Sequence, residues 1–135
     1  MTGNSRRGFL FDRFMLYNII LVAIGGAIGS VCRYLVSGMN VASFPWGTFV
    51  VNVLGSLIIG LAVGLVNRGI ASPEMKLLLV TGFCGGFTTF STFANESLGF
   101  VKTGDVLMAA LYAGVSVAIG IMAVWLGLLL SGTAK

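Results

Sequence analysis

The sequence contains no histidine. That excludes imidazole-ligated haem and zinc, imidazole proton relays and any triad built on a histidine base. Carboxylates are nearly as scarce: Asp12, Glu74, Glu96 and Asp105 are the whole supply in 135 residues. A multi-carboxylate metal or hydrolase centre therefore lacks ligands. The two cysteines, Cys32 and Cys84, lie inside apolar stretches, where they read as small packing residues rather than a disulfide framework. Charge of either sign is sparse. Only 9% of residues are charged, whereas a soluble domain needs roughly a quarter to cover its surface. With no visible nucleophile–base pair, an enzyme is the class the residues fit worst.

What fills the chain is apolar. Hydrophobic residues make up 57% and the mean hydropathy is +1.02. So much apolar surface cannot be hidden inside one small domain, so lipid must be the solvent for much of the outside. Four apolar runs follow one another, at about Met15–Val36, Trp46–Val66, Met75–Val101 and Val106–Leu130. Each is long enough to cross a hydrocarbon core that takes about 20 helical residues. Helix is forced, because open strands leave backbone groups unsatisfied in lipid. The class expected is an all-α membrane protein of four transmembrane helices, in the cytoplasmic membrane. Residues 1–14, with Arg6, Arg7 and Arg13, read as an interfacial N-terminal arm, 15–131 as the transmembrane domain and 132–135 as a short tail.

Short connections allow only neighbouring, antiparallel helices. Four spans place both termini on one side, with Arg6, Arg7, Arg13, Arg68, Lys76 and Lys135 there and Arg33 and Lys102 opposite. That counts as N-terminus inside. Without the arm the count is three against two, which barely sets an orientation, so such a chain could insert both ways. Glycines recur in the first, second and fourth spans and let helix backbones approach closely. Helices packed so tightly leave no central passage in one subunit. Any pore must lie between subunits.

The third span carries the chemistry: Thr81-Gly82-Phe83-Cys84-Gly85-Gly86-Phe87-Thr88-Thr89-Phe90-Ser91-Thr92-Phe93-Ala94-Asn95-Glu96. Two adjacent glycines make a poor helix interior, at about 1 kcal/mol each relative to alanine. A break at Gly85-Gly86 would free backbone carbonyls, which survive at membrane depth only when buried in protein or lining a cavity. Freed carbonyls are hard oxygen dipoles suited to a hard cation. The plainer alternative is a small-residue crossing whose hydroxyls bond back to the carbonyl four residues earlier. Thr48, Asn52 and Ser56 share one face of the second span, and Tyr112 and Ser116 one face of the fourth. With the third-span hydroxyls they can form a polar track, or simply tie the bundle together. Arg33 is expected either to snorkel or to draw anions into a vestibule. Glu96 is expected to pair with a cation or with a hydroxyl such as Thr92. Hydroxyls, amide N–H groups and the positive edges of phenyl rings suit a small, strongly hydrated anion.

The run Gly82–Phe93 with Glu96 after it resembles the signature of the Fluc (CrcB) fluoride-channel family. Gly47-Thr48-Phe49-Val50-Val51-Asn52 is similar to that family's second-span pattern, and Gly25-Gly26-Ala27-Ile28-Gly29 with Arg33-Tyr34 to its first. The resemblance implies an antiparallel, dual-topology homodimer with two fluoride pores that export fluoride passively. It implies ring edges of Phe90 and Phe93 lining each pore, with Asn52 beside them. Thr89, Ser91 and Thr92 would stand in the hydroxyl-bearing stretch, and Tyr112 and Ser116 on the fourth-span pore face. Carbonyls of Gly85 and Thr88 would hold a structural Na+ at the dimer interface. Gly120 departs from the pattern, where a relative could place a further hydroxyl, so the fourth-span track is expected to be shorter here. A proton-coupled transporter of the small multidrug type shares the size and the four spans, but its coupling carboxylate sits in the first span, which has none here. A non-transporting assembly subunit would leave the third-span motif without a purpose.

Overall fold

Lipid offers backbone groups no partner, so each apolar run must bond within itself, and all four do so as helices. The computed structural model describes the backbone of residues 3–41 and 43–133 and the side chains of 12–41 and 43–133. Met1, Thr2, Ala42, Ala134 and Lys135 lie outside the described residues, and with them part of the expected arm and tail.

Helix α1 (Gly3–Ser37) has 35 residues. At 1.5 Å per residue it is about 52 Å long, against a hydrocarbon core of about 30 Å. From Gly3 the backbone of the expected arm runs on into the first span as one helix. After a short loop, α2 (Trp46–Asn67) begins behind Pro45. Asn40 Oδ1 accepts from the Gly47 N–H at 2.6 Å, satisfying a donor that the first helical turn leaves free. Helix α3 (Pro73–Lys76) starts with proline at its first turn and Ser72 as cap, the Ser72 hydroxyl accepting from the Met75 N–H at 3.2 Å. It runs on into a π-helical stretch, Leu77–Cys84, and then α4 (Gly85–Phe87). Helix α5 (Phe90–Lys102) and helix α6 (Val106–Leu130) complete the bundle. The four candidate spans are Asp12–Ser37, Trp46–Asn67, Pro73–Lys102 and Val106–Leu130. The protein is a multi-pass membrane protein.

The third span is interrupted, but not where its glycines suggest. Gly85 is helical, with φ −60 and ψ −37, and Gly85–Phe87 complete the descending helix. The chain leaves helical geometry at Thr88 (ψ 159) and Thr89 (ψ 112) and resumes at Phe90. The expectation of a break at Gly85-Gly86 is therefore corrected to a two-residue break at Thr88 and Thr89. Glycine at 86 answers a different need. A Cβ there would press on the Gly26 carbonyl of α1.

Two close helix pairs build the core. Helix α1 packs on the third span, where Cβ atoms at Gly25 and Gly29 would collide with the carbonyls of Leu78 and Phe83. Helix α2 packs on α6, with Gly60 against the Val124 backbone and Gly127 against Leu57 and Leu61. Close approach is how helices cohere where lipid removes the hydrophobic incentive. At one end the second pair is fastened by polar contacts. Arg68 Nη1 donates to the Ser131 carbonyl at 2.6 Å, and the Thr133 hydroxyl donates to the Gly64 carbonyl at 3.0 Å. Large apolar residues elsewhere stay exposed, Val117, Ile121 and Met122 among them, which is what a lipid-facing surface requires.

Candidate functional site: a polar line across the bundle

The break would strand backbone groups in the bilayer, and α2 supplies their partners. Asn52 Oδ1 accepts from the Thr89 N–H at 2.8 Å, and Asn52 Nδ2 donates to the Thr89 carbonyl at 3.2 Å. One side chain thus takes both backbone groups of Thr89. The Thr89 hydroxyl caps α5, accepting from the Thr92 N–H at 3.3 Å and donating to the Thr92 hydroxyl at 2.9 Å. The Thr88 hydroxyl bonds back to the Cys84 carbonyl at 2.8 Å, the four-residue pattern, while its methyl lies on Gly55.

These capping bonds have a consequence for the carbonyls upstream. In a continuous helix the Gly85 carbonyl would take the Thr89 N–H and the Thr88 carbonyl the Thr92 N–H. Both N–H groups are diverted, to Asn52 and to the Thr89 hydroxyl. Neither carbonyl has its helical partner.

On one side of the break lies a recess of about 230 Å³ lined by Asn52, Ser56, Ile59, Thr88, Phe90 and Phe93. The Phe90 and Phe93 rings stand 5.9 Å apart at 46°. Phe90 is 80% exposed, so this recess has one wall missing within a single chain. Phe93 leans on Tyr112, centroids 5.0 Å apart. Tyr112 is buried and also meets Phe44 and Phe100 edge-on at 5.3 and 6.0 Å. Its hydroxyl donates to Glu96 Oε2 at 2.8 Å, and the Thr48 hydroxyl donates to Glu96 Oε1 at 2.7 Å. Asn40 Nδ2 adds a long contact of 3.4 Å to Oε1. Beyond Glu96 opens a second recess of about 400 Å³, lined by Asn40, Val41, Phe44, Pro45, Glu96, Gly99, Phe100 and Thr103. Glu96 of the outer recess thus holds Thr48 and Tyr112, and Tyr112 packs on Phe93, which shares the inner recess with Asn52 and Ser56. Ser116 Oγ is buried without a hydrogen-bond partner, leaving its proton and lone pairs uncommitted.

Residues 20–128 match the family described as "CrcB-like protein, Camphor Resistance (CrcB)". The chain belongs to the CrcB family. Among its curated relatives, one from Agrobacterium fabrum named fluoride-specific ion channel FluC is 51% identical over 120 residues, covering 85% of this chain and 96% of the relative. Proteins of the same name from Nitratidesulfovibrio vulgaris and Flavobacterium psychrophilum are 47% and 43% identical, each over 118 residues, 84% of this chain and 95% of theirs. The CrcB match begins within α1, and residues 1–14 lie outside it.

Within that CrcB core the structure brings Asn52, Phe90, Phe93 and Thr88 together around one recess, and Thr48 and Tyr112 around Glu96. Ser91 and Thr92 are exposed on α5, Thr92 with its bonds to the Thr89 hydroxyl. Arg33 is half-buried near the end of α1, and its guanidinium makes no hydrogen bond or ion pair among the described residues. The carbonyl of Arg33 accepts from the Ser37 hydroxyl at 2.8 Å. Gly120 faces Ser56, whose hydroxyl would lie 3.7 Å from a Cβ there. Spacing along the chain pairs Glu96 with Thr92 four residues earlier. The carboxylate instead crosses to two other helices, where Thr48 and Tyr112 take it. Sequence reasoning misses Asn40. Its only signal is an amide five residues before a proline at the head of α2, a weak capping hint.

Proposed function

We propose that this protein is a fluoride-selective channel that lets fluoride leave the cytoplasm passively through the cytoplasmic membrane, working as an antiparallel homodimer with two pores. The observation that supports it best is the recess bounded by Phe90, Phe93, Asn52 and Ser56, open on the Phe90 side, with Phe93 packed on Tyr112. Ring edges are electropositive and hydroxyls donate, so the lining suits a small anion that accepts hydrogen bonds strongly. The relatives' name, fluoride-specific ion channel, points to the same ion. Desolvating a monovalent ion costs on the order of 20 kcal/mol in the idealised limit, and closely spaced donors are the means available to offset it.

The second copy enters through what one chain leaves undone. Thr81, Gly85, Ser91, Thr92 and Asn95 are exposed on the third span, at depths where lipid cannot hydrogen-bond them. A partner packed there would wall the recess on the Phe90 side. A structural Na+ fits the same seam. The carbonyls of Gly85 and Thr88 lack helical partners and are hard oxygen donors of the kind such an ion takes. Two carbonyls from each of two copies would supply such a site; bound there, the ion would neutralise carbonyl dipoles and join the chains. Transport of the proton-coupled kind finds no support in Glu96, which is held by donors rather than isolated.

The test is ion efflux from liposomes loaded with fluoride or chloride, with sodium or a large organic cation outside and in. Fluoride release with chloride retained is expected, together with dimers in detergent whose stability depends on sodium. Reconstituted protein that fails to dissipate a fluoride gradient would overturn the reading.

A further inference from the structure

We propose that Glu96 is the selectivity element of this path, an acceptor built into the protein with which a passing anion must compete. The inference rests on the channel reading above and adds to it how chloride is refused.

Glu96 stands on the wall of the outer recess, one helical turn along α5 from Phe93 of the inner one. It lines the outer recess directly, and Tyr112, which it holds, packs on Phe93 of the inner recess. The two donors nearest this point are the hydroxyls of Thr48 and Tyr112, and both protons are already given to the carboxylate, at 2.7 and 2.8 Å. Both residues are almost wholly buried, at 2% and 1% exposure, so neither hydroxyl has water to turn to. An anion arriving from the outer recess therefore finds the donors occupied by another anion.

That arrangement sets a threshold. Bonds to a carboxylate are short and charge-assisted. An incoming ion gains the hydroxyls only if its own hydrogen bonds match those it displaces. Fluoride, small and strongly basic towards donors, meets the threshold. Chloride, larger and a weaker acceptor, does not, and its approach leaves the ion unsolvated beside a negative charge. Refusal thus comes from a repulsive, already satisfied element and not from pore width alone. No other charged group makes a hydrogen bond or ion pair with Glu96 among the described residues; its contacts are Thr48, Tyr112 and the Asn40 amide.

The experiment compares fluoride and chloride efflux from liposomes for the unaltered protein, Glu96→Gln and Glu96→Asp. In Glu96→Gln the competitor is neutral and a weaker acceptor, so chloride efflux is expected to rise at least tenfold, lowering the fluoride-to-chloride ratio by the same factor. Glu96→Asp keeps the charge but falls short of one donor, and is expected to lie between. Unchanged chloride exclusion in Glu96→Gln would overturn the proposal. A second measurement needs no variant. The carboxylate stretch of Glu96, isolated by difference infrared spectroscopy against isotope-labelled protein, is expected to shift on adding fluoride and not on adding chloride. A band that fluoride leaves unmoved would overturn the proposal too. If the unaltered protein carries no fluoride at all, it is the channel reading that fails.

Discussion

Asn52 of α2 holds both backbone groups of Thr89, accepting from its N–H and donating to its carbonyl. The amide acts as a substitute turn of helix, and the third span can break at this point because the second span supplies the missing bonds. Asn52 also lines the recess, and its amide nitrogen carries a second N–H beyond the one given to Thr89. Asn52→Ala is expected to strand two backbone groups at about 1–3 kcal/mol each. A melting temperature lowered by several degrees, with fluoride efflux reduced in step, would be seen by thermal unfolding in detergent and by liposome efflux. Asn52→Asp keeps the acceptor but loses the donor, and is expected to lose part of the stability.

The glycines divide into those that a neighbour requires and those that none does. Gly29→Ala would set a methyl against the Phe83 carbonyl, and Gly127→Ala one against α2. Each is expected to cost about 1–3 kcal/mol through overpacking. A methyl added at Gly99 on α5 would meet nothing within 4 Å, so Gly99→Ala is expected to be neutral or to stabilise by up to about 1 kcal/mol through helix propensity. Unfolding midpoints of the three variants check the contrast.

Phe90 and Phe93 line one recess but differ in what else they touch. Phe93 rests on Tyr112, while Phe90 is mostly exposed in the single chain. Phe90→Ala is expected to leave the stability of the subunit within about 0.5 kcal/mol while lowering fluoride efflux at least tenfold. Phe93→Ala is expected to lower both. Equal efflux in Phe90→Ala and the unaltered channel would remove Phe90 from the path.

Arg68 joins the ends of α2 and α6 through the Ser131 carbonyl, where a cation also meets the negative end of a helix. Arg68→Ala is expected to destabilise by about 1–2 kcal/mol. Fluoride efflux per folded protein should be unchanged, because this fastening lies away from both recesses.

Much of the fold was legible because lipid leaves few choices. Four apolar runs with short connections dictated four helices, and the hydroxyl-and-phenylalanine motif marked the third as the one that matters. Residue partners across helices were harder. The pair Gly85-Gly86 signalled irregularity, yet helix propensity misplaced it. Those glycines stay helical because α1 packs close to Gly86, and the break falls on two threonines whose backbone α2 can satisfy. Four-residue spacing suggested Thr92 for Glu96, but spacing along one helix says nothing of a neighbour's depth. Thr48 on α2 and Tyr112 on α6 reach the carboxylate only once the helices are packed. The uncommitted state of Ser116 likewise depends on what α6 faces, which no local pattern records.

The interruption at Thr88 and Thr89 divides the third span nearly in half, with Pro73–Phe87 before it and the 13 residues of α5 after it. A chain turned upside down about an axis in the membrane plane therefore carries its interruption at the same level as an upright one. The break also brings the carbonyl-rich end of one half-helix and the N–H-rich end of the other together near the middle of the span.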